Sequence, residues 1–232
     1  MARLPRLSVA NYPHHIIQRG NNRQVICADE ADFEQLLTLL REAAQRHGVA
    51  LYSWVLLPEQ MQIIATPETA EGVPRMMQDM GRAYVRYFNN RYVRTGTLWE
   101  GRYRNTVLDP ERVVAAMVCL DWLPVHQQLV EQPRDWAWSS SAFYSGHKHM
   151  AGVTMPPQVW RLGNTPFARE SAWQALLDSP YAFTPFESLQ EHAWHGWVQG
   201  GLGFVKELQE ISGRRLQKSN AGRPAKLQKT SE

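Results

Sequence analysis

Two short apolar segments with a single break between them limit the folds that this chain can adopt. Residues 50–57 and 60–66 each predict a strand, and Pro58-Glu59 interrupts them. A further strand is expected at His14–Arg19 and a short one before Leu108, with amphipathic helices at 31–47 and 73–92. The order strand, helix, strand, strand, helix, strand predicts an α+β fold, a ferredoxin-like antiparallel sheet with helices on one face.

The composition changes along the chain and divides it into three parts. A Pro/Gly-rich stretch follows residue 150, and a helical pattern and then a basic segment rich in Ser, Gln and Asn come after it. We therefore predict a domain at 1–150, a helical extension at 151–210 and a basic, disordered tail at 211–232. The chain has no apolar run of ~18 residues, no secretory signal and only two cysteines. We expect a cytoplasmic protein that does not enter a membrane.

The formal net charge of +3 conceals two strongly basic segments. Residues 81–107 carry six arginines against one acid, Glu100, and aromatic residues are interleaved with them. Arginine forks fit phosphates and aromatic faces stack on unpaired bases, so this segment suits single-stranded or hairpin nucleic acid. A helix with a solvated arginine face is the alternative. In the tail, Gly222-Arg223-Pro224 suits a narrow minor groove, although a merely solubilising tail is equally compatible with the composition.

Several short motifs come in the order in which they occur in one family. The resemblance is to the single-tyrosine transposases of the insertion-sequence type, above all those associated with repetitive extragenic palindromes, and it covers about residues 5–147. The motifs are RGNNRQ at 19–24, the broken strand at 53–64, RTGTLWEGRY at 94–103, LPV at 123–125 and DWAWSS at 135–140.

The resemblance implies a reaction whose residues are replaced in this chain. Family members cut single-stranded DNA with a tyrosine nucleophile and a divalent metal held by two histidines on a strand. Gln60 and Gln62 stand at the histidine positions, Cys119 at the tyrosine position and Leu123 at that of a polar residue one turn later. Two neutral amides without a carboxylate make a poor metal site. We therefore expect no catalytic residue, no metal and no cofactor.

The resulting hypothesis is a non-catalytic transposase relative that binds hairpin or single-stranded DNA, or RNA, and regulates gene expression. Two alternatives are a metal-dependent strand transferase or nuclease with an altered site, and a protein-interaction module. Family members can pair through their sheets, so a homodimer is a further expectation to test. The candidate nucleic-acid-binding residues are Arg19, Arg23, Arg82, Arg86, Arg91, Arg94, Trp99, Arg102, Tyr103, Arg104, Arg214, Arg215 and Arg223.

Overall fold

The structure is a computed structural model that describes residues 6–179, 186–213 and 215–216. The strands are β1 (His14–Arg19), β2 (Val49–Leu56), β3 (Gln60–Pro67) and β4 (Arg104–Val107). The helices are α1 (Glu30–Arg46), α2 (Gly72–Arg91), α3 (Val113–Asp121), α4 (Leu123–His126), α5 (Ser141–Tyr144), α6 (Pro157–Trp160), α7 (Pro166–Leu177), α8 (Phe186–His195) and α9 (Leu202–Ser212).

The strand order in the sheet is β2-β3-β1-β4, with every neighbouring pair antiparallel. This order, reached through β1-α1-β2-β3-α2-β4 along the chain, is ferredoxin-like and confirms the predicted fold class.

The two long helices cover one face of the sheet. The side chain of Asp29 caps α1 by accepting a hydrogen bond from the backbone N–H of Asp32. The apolar stripe of α2 repeats at helical spacing, so it faces the sheet while the opposite side of the helix stays in solvent. Ile16, Trp54 and Ile63 meet these helices in one core cluster.

The opposite face of the sheet is covered by α3 together with the C-terminal extension. Val55 and Ile64 pack there in a second core cluster with residues of α3, with Trp173 of α7 and with Leu189 of α8. Strands that are apolar on both faces need two covering layers, and the unbroken apolar run at the end of β2 is the sequence signal for this. The extension therefore completes the sheet's packing.

Both edges of the sheet are paired with other parts of the same chain. On the β4 side, the backbone N–H of Gln199 donates to the carbonyl of Val107 over 3.0 Å. On the β2 side, the backbone N–H of Ser140 donates to the carbonyl of Trp54, also over 3.0 Å. Edges that carry such partners cannot extend the sheet into a second molecule at these positions.

The segment after β4 forms two short helices, α3 and α4, which follow each other directly. A short 3-10 turn precedes α3, and Pro124 lies in the first turn of α4, where its fixed φ and missing N–H are tolerated. Within the described ranges, no helix is both long and apolar enough to span a membrane. The division at 1–150, 151–210 and 211–232 stays a prediction, and residues 217–232 of the tail lie outside the described residues.

Candidate functional site

A cleft of about 870 Å³ lies between α2 and the loop that leads into β4. Met77 and Val85 of α2 form apolar parts of its wall, and Trp99 and Tyr103 contribute from the loop. Among the described residues that line it there is no aspartate or glutamate, so its positive charge is not neutralised within the lining. Five arginines line the cleft: Arg6, Arg75, Arg82, Arg86 and Arg102.

Three of these arginines belong to the solvent face of α2. Positions 75, 82 and 86 are separated by seven and four residues, which places them on one side of a helix, opposite the buried stripe. All three are exposed. With a rise of 1.5 Å per residue, the stripe from Arg75 to Arg86 is about 16 Å long. It can follow several successive phosphates of one strand.

The other wall of the cleft is built by Arg6, Trp99 and Tyr103. The Arg6 guanidinium lies 4.1 Å from the Tyr103 ring centroid, and its Nε donates to the Tyr103 carbonyl over 2.6 Å. The Trp99 ring stacks on Tyr84, and its Nε1 donates to the carbonyl of Gly81 over 3.2 Å. Tyr103 is 8% exposed, and this burial raises the pKa of its hydroxyl. Both aromatic residues are thus packed in the wall.

Arg91 and Arg94 have partners within the protein. Arg91 forms ion pairs with Asp29 and with the fully buried Asp32. These contacts hold the pKa of the Asp29 carboxyl below its usual value. The Arg94 guanidinium lies 5.5 Å from the Phe88 ring centroid. Both arginines brace the C-terminal end of α2 in this structure.

Arg19 and Arg104 lie on the sheet face that α8 covers. The Trp194 ring centroid is 4.4 Å from the guanidinium carbon of Arg19 and 4.7 Å from that of Arg104. Arg19 also forms an ion pair with Glu100, which lowers the pKa of that carboxyl. The Trp194 ring therefore covers, on both arginines, the guanidinium face with which an arginine stacks on an aromatic ring.

Gln62 lies on this same covered face, where it contacts His15. The register of β1 and β3 pairs Ile17 with Gln62 and Arg19 with Gln60. His15 Nε2 donates to Gln62 Oε1 over 2.8 Å, and both side chains have no exposed surface. Burial lowers the pKa of His15 to about 4, so the ring is neutral at physiological pH. The carbonyl oxygen that could face a metal is already engaged.

Cys119 faces a small cavity of about 90 Å³ between α3 and α8, lined also by Ser188 and Leu189. Burial raises the pKa of its thiol to about 11, and the carboxyl of Asp121 adds to the shift. The group is therefore a protonated thiol at neutral pH, whereas a nucleophile needs the thiolate. Leu123, at the fourth replaced position, is 1% exposed.

The divalent metal that the resemblance implies does not fit these residues. Gln60 and Gln62 offer neutral amides, and the oxygen of one accepts a hydrogen bond from His15. In the ranges that the structure describes, no group of three His, Cys, Asp or Glu side chains could hold a metal ion.

The remaining candidate residues are distributed as follows. Arg23 and Arg215 are exposed, and Arg214 and Arg223 lie outside the described residues. The sequence interpretation omitted three residues that the structure brings to these surfaces: Arg6, Arg75 and Trp194. The seven-residue spacing from Arg75 to Arg82 was a usable signal. Nothing in the sequence indicated that residue 6 reaches Tyr103 or that Trp194 reaches Arg19.

Comparison with known proteins finds one family for the sheet domain. Residues 8–116 match the family described as IS200-like transposases. A REP-associated tyrosine transposase bound to a REP hairpin has the same fold, with a TM-score of 0.51 and 14% identity, over 67% of this chain and 99% of that chain. A putative transposase from Deinococcus radiodurans gives a TM-score of 0.37 and 20% identity, over 56% of this chain and 96% of its own. No curated protein matches the chain.

Proposed function

Since residues 8–116 match the family of IS200-like transposases, we propose that the chain binds structured nucleic acid in the arginine-lined cleft and does not cut it. The proposed ligand is hairpin or single-stranded DNA. An RNA hairpin is the alternative ligand with the same chemistry. The cleft itself is the observation that carries the proposal, because five arginines and no carboxylate line it among the described residues.

The chemistry of the cleft supports a nucleic acid over other anions. Exposed arginines in a stripe about 16 Å long suit a row of phosphates, whereas a single small anion would engage only one or two of them. The wall between the arginines is partly apolar, with Met77 and Val85 beside the charged rim. This combination suits a ligand with a charged backbone and flat apolar bases. The structural neighbour bound to a REP hairpin is a relative in fold whose ligand has this chemistry.

The covered face supports binding without cleavage. The positions of the family's metal ligands and nucleophile are held by Gln60, Gln62 and Cys119. Gln62 is fully buried on the covered face of the sheet, and Cys119 of α3 faces a small cavity against α8. The Cys119 thiol is protonated at neutral pH. A covered amide and a buried thiol provide neither charge stabilisation nor a nucleophile for a phosphodiester.

The biological role that follows is regulation in the cytoplasm, where a protein that holds a hairpin without cutting it can alter the use of that sequence. We propose that one copy is sufficient for binding, because both sheet edges are paired within the chain where the structure describes them. A homodimer would have to form through a surface other than these two sheet edges.

Two rival functions remain distinguishable by experiment. An altered strand transferase requires a divalent metal and leaves a covalent protein–DNA adduct. A protein-interaction module binds no nucleic acid in a salt-sensitive manner.

The test is crosslinking in the host followed by sequencing of the bound DNA and RNA, with the purified protein then tested on the recovered sequences. The proposal predicts a small set of hairpins that bind equally well with Mg²⁺ and with EDTA and stay intact. Cleavage in Mg²⁺ would establish the transferase instead. Failure of the purified protein to bind any recovered hairpin would favour the interaction module.

A further inference from the structure

Val93 stands out because its backbone conformation is unfavourable and its side chain contacts almost nothing. It follows the end of α2, is 94% exposed and has a φ of 49°. A β-branched residue with positive φ is an outlier, because its side chain crowds the backbone, and the conformation is energetically unfavourable. Because the Val93 side chain is exposed, burial of apolar surface does not compensate for the unfavourable conformation.

The tip that carries Val93 is held rigidly by its neighbours. On one side, Arg91 is paired with Asp29 and Asp32, and the Tyr92 hydroxyl donates to Asp32 over 2.7 Å. On the other side, the backbone N–H of Arg94 donates to the carbonyl of Asn89 over 2.9 Å. The strained conformation is thus imposed by the surrounding contacts, and the valine is displayed at a fixed place.

That place lies at the end of the arginine stripe. The stripe of Arg75, Arg82 and Arg86 runs toward the C-terminal end of α2, which ends at Arg91, and Val93 follows two residues later, outside the helix. The five residues from Arg86 to Arg91 span about 7 Å along the helix axis. A strand that follows the stripe beyond the end of the helix therefore approaches Val93.

The aromatic residues expected to contact bases are less available than this valine. Tyr103 is 8% exposed with Arg6 over its ring, and Trp99 is stacked on Tyr84. Val93 is by contrast an exposed apolar group next to the basic surface. Apolar side chains that enter nucleic acid separate stacked bases and remain in the gap.

We propose that Val93 is a wedge that inserts against a base of the bound hairpin where stacking is interrupted, at the junction of stem and unpaired nucleotides. This inference rests on the proposed function, since it requires a nucleic acid on the arginine stripe. It explains why an exposed valine is held at positive φ: the contact that compensates for the strain forms only in the complex.

The test uses a DNA hairpin with unpaired flanks that carries 2-aminopurine at one junction position at a time. The wild-type protein should raise the fluorescence at one position, because the probe brightens when it is unstacked. Val93→Asn, which relieves the strain because asparagine tolerates positive φ, should bind about tenfold more weakly and lose the signal. Val93→Leu, which keeps the apolar area, should bind as the wild type does and retain the signal.

The controls separate this inference from the proposed function. The Asn variant should melt no lower than the wild type, which excludes misfolding as the cause of weaker binding. Arg82→Ala should weaken binding but keep the signal at saturation. If the wild type binds the hairpin and Val93→Asn binds equally well, the wedge is wrong and the proposed function stands. If the wild type binds no hairpin at all, both are wrong.

Discussion

His15 donates a hydrogen bond to the side-chain oxygen of Gln62 at 2.8 Å, beneath the C-terminal extension. The neighbouring strands β1 and β3 place these two side chains on the same face of the sheet. Two buried neutral groups share one hydrogen bond at the position where the family resemblance implies a metal, and Gln62 Nε2 has no hydrogen-bond partner among the described residues. The pair is therefore part of the packed interior, and the charged surface of the molecule lies elsewhere, along α2.

Exposing the covered face should not produce an enzyme. Trp194→Ala removes the ring that lies over Arg19 and Arg104 and gives solvent better access to that face. We expect neither this variant nor the wild type to form a covalent adduct with hairpin or single-stranded DNA, with Mg²⁺ or Mn²⁺, because the Cys119 thiol is protonated and the described part of the chain holds no cluster of three metal-ligating side chains. Denaturing gel electrophoresis of labelled DNA measures this. An adduct that disappears in Cys119→Ser would revive the strand transferase.

Asp32 should be important for stability and unimportant for direct contact with a ligand. Its side chain is fully buried and accepts hydrogen bonds from Arg91, Tyr92 and the backbone N–H of Ala28. Asp32→Ala should lower the free energy of unfolding by about 3 kcal/mol, since several donors lose their acceptor. Urea unfolding measures this. Glu34→Ala, an exposed acid on the same helix, is the control and should change stability by less than about 0.5 kcal/mol.

Asp121 should make stability fall as the pH rises. Burial raises the pKa of this carboxyl to about 7, while Trp173 Nε1 donates to it over 3.1 Å. In the unfolded chain the pKa of the group is close to 3.8, the ordinary value of an aspartate. Its stabilising contribution is therefore complete below about pH 4, declines as the pH approaches 7 and is constant above that.

Asp121→Asn isolates this effect, because the amide keeps an acceptor for Trp173 and does not ionise. Relative to the wild type, the variant should gain about 2 kcal/mol of unfolding free energy between pH 5 and pH 8. His14 and His15, whose pKa values burial lowers to about 4, change stability in the opposite sense, so the two proteins must be compared at each pH. A constant difference across this range would show that Asp121 is ionised in the folded protein.

The sheet and its first two helices could be predicted because their signals are local. The short apolar segment around Ile63 and the helical spacing of Met76, Met80 and Tyr84 are visible in any window of a dozen residues. The solvent face of α2 follows from the same spacing, and Arg82 and Arg86 are exposed on it, while their role in binding nucleic acid stays a prediction.

The rest of the site depends on contacts between distant residues. Arg91, like Arg86, is an arginine of α2 that is followed by a tyrosine, but Asp29 and Asp32 are brought to Arg91 only when α1 packs against α2. Trp194 reaches Arg19 from 175 positions along the chain, through the docking of α8. Charge and aromatic composition indicate a binding surface, and the tertiary packing decides which arginines are left to form it.

The salt dependence of hairpin binding measures whether the cleft arginines hold a nucleic-acid backbone. Arg82, Arg86 and Arg102 are exposed in the cleft, and Arg161 is an exposed arginine that does not line it. Each cleft arginine changed to alanine should weaken hairpin binding about five- to tenfold and reduce the slope of log affinity against log salt by about one. Arg161→Ala should change neither quantity. If the triple variant of the cleft binds with the affinity and salt slope of the wild type, the cleft is not the binding site.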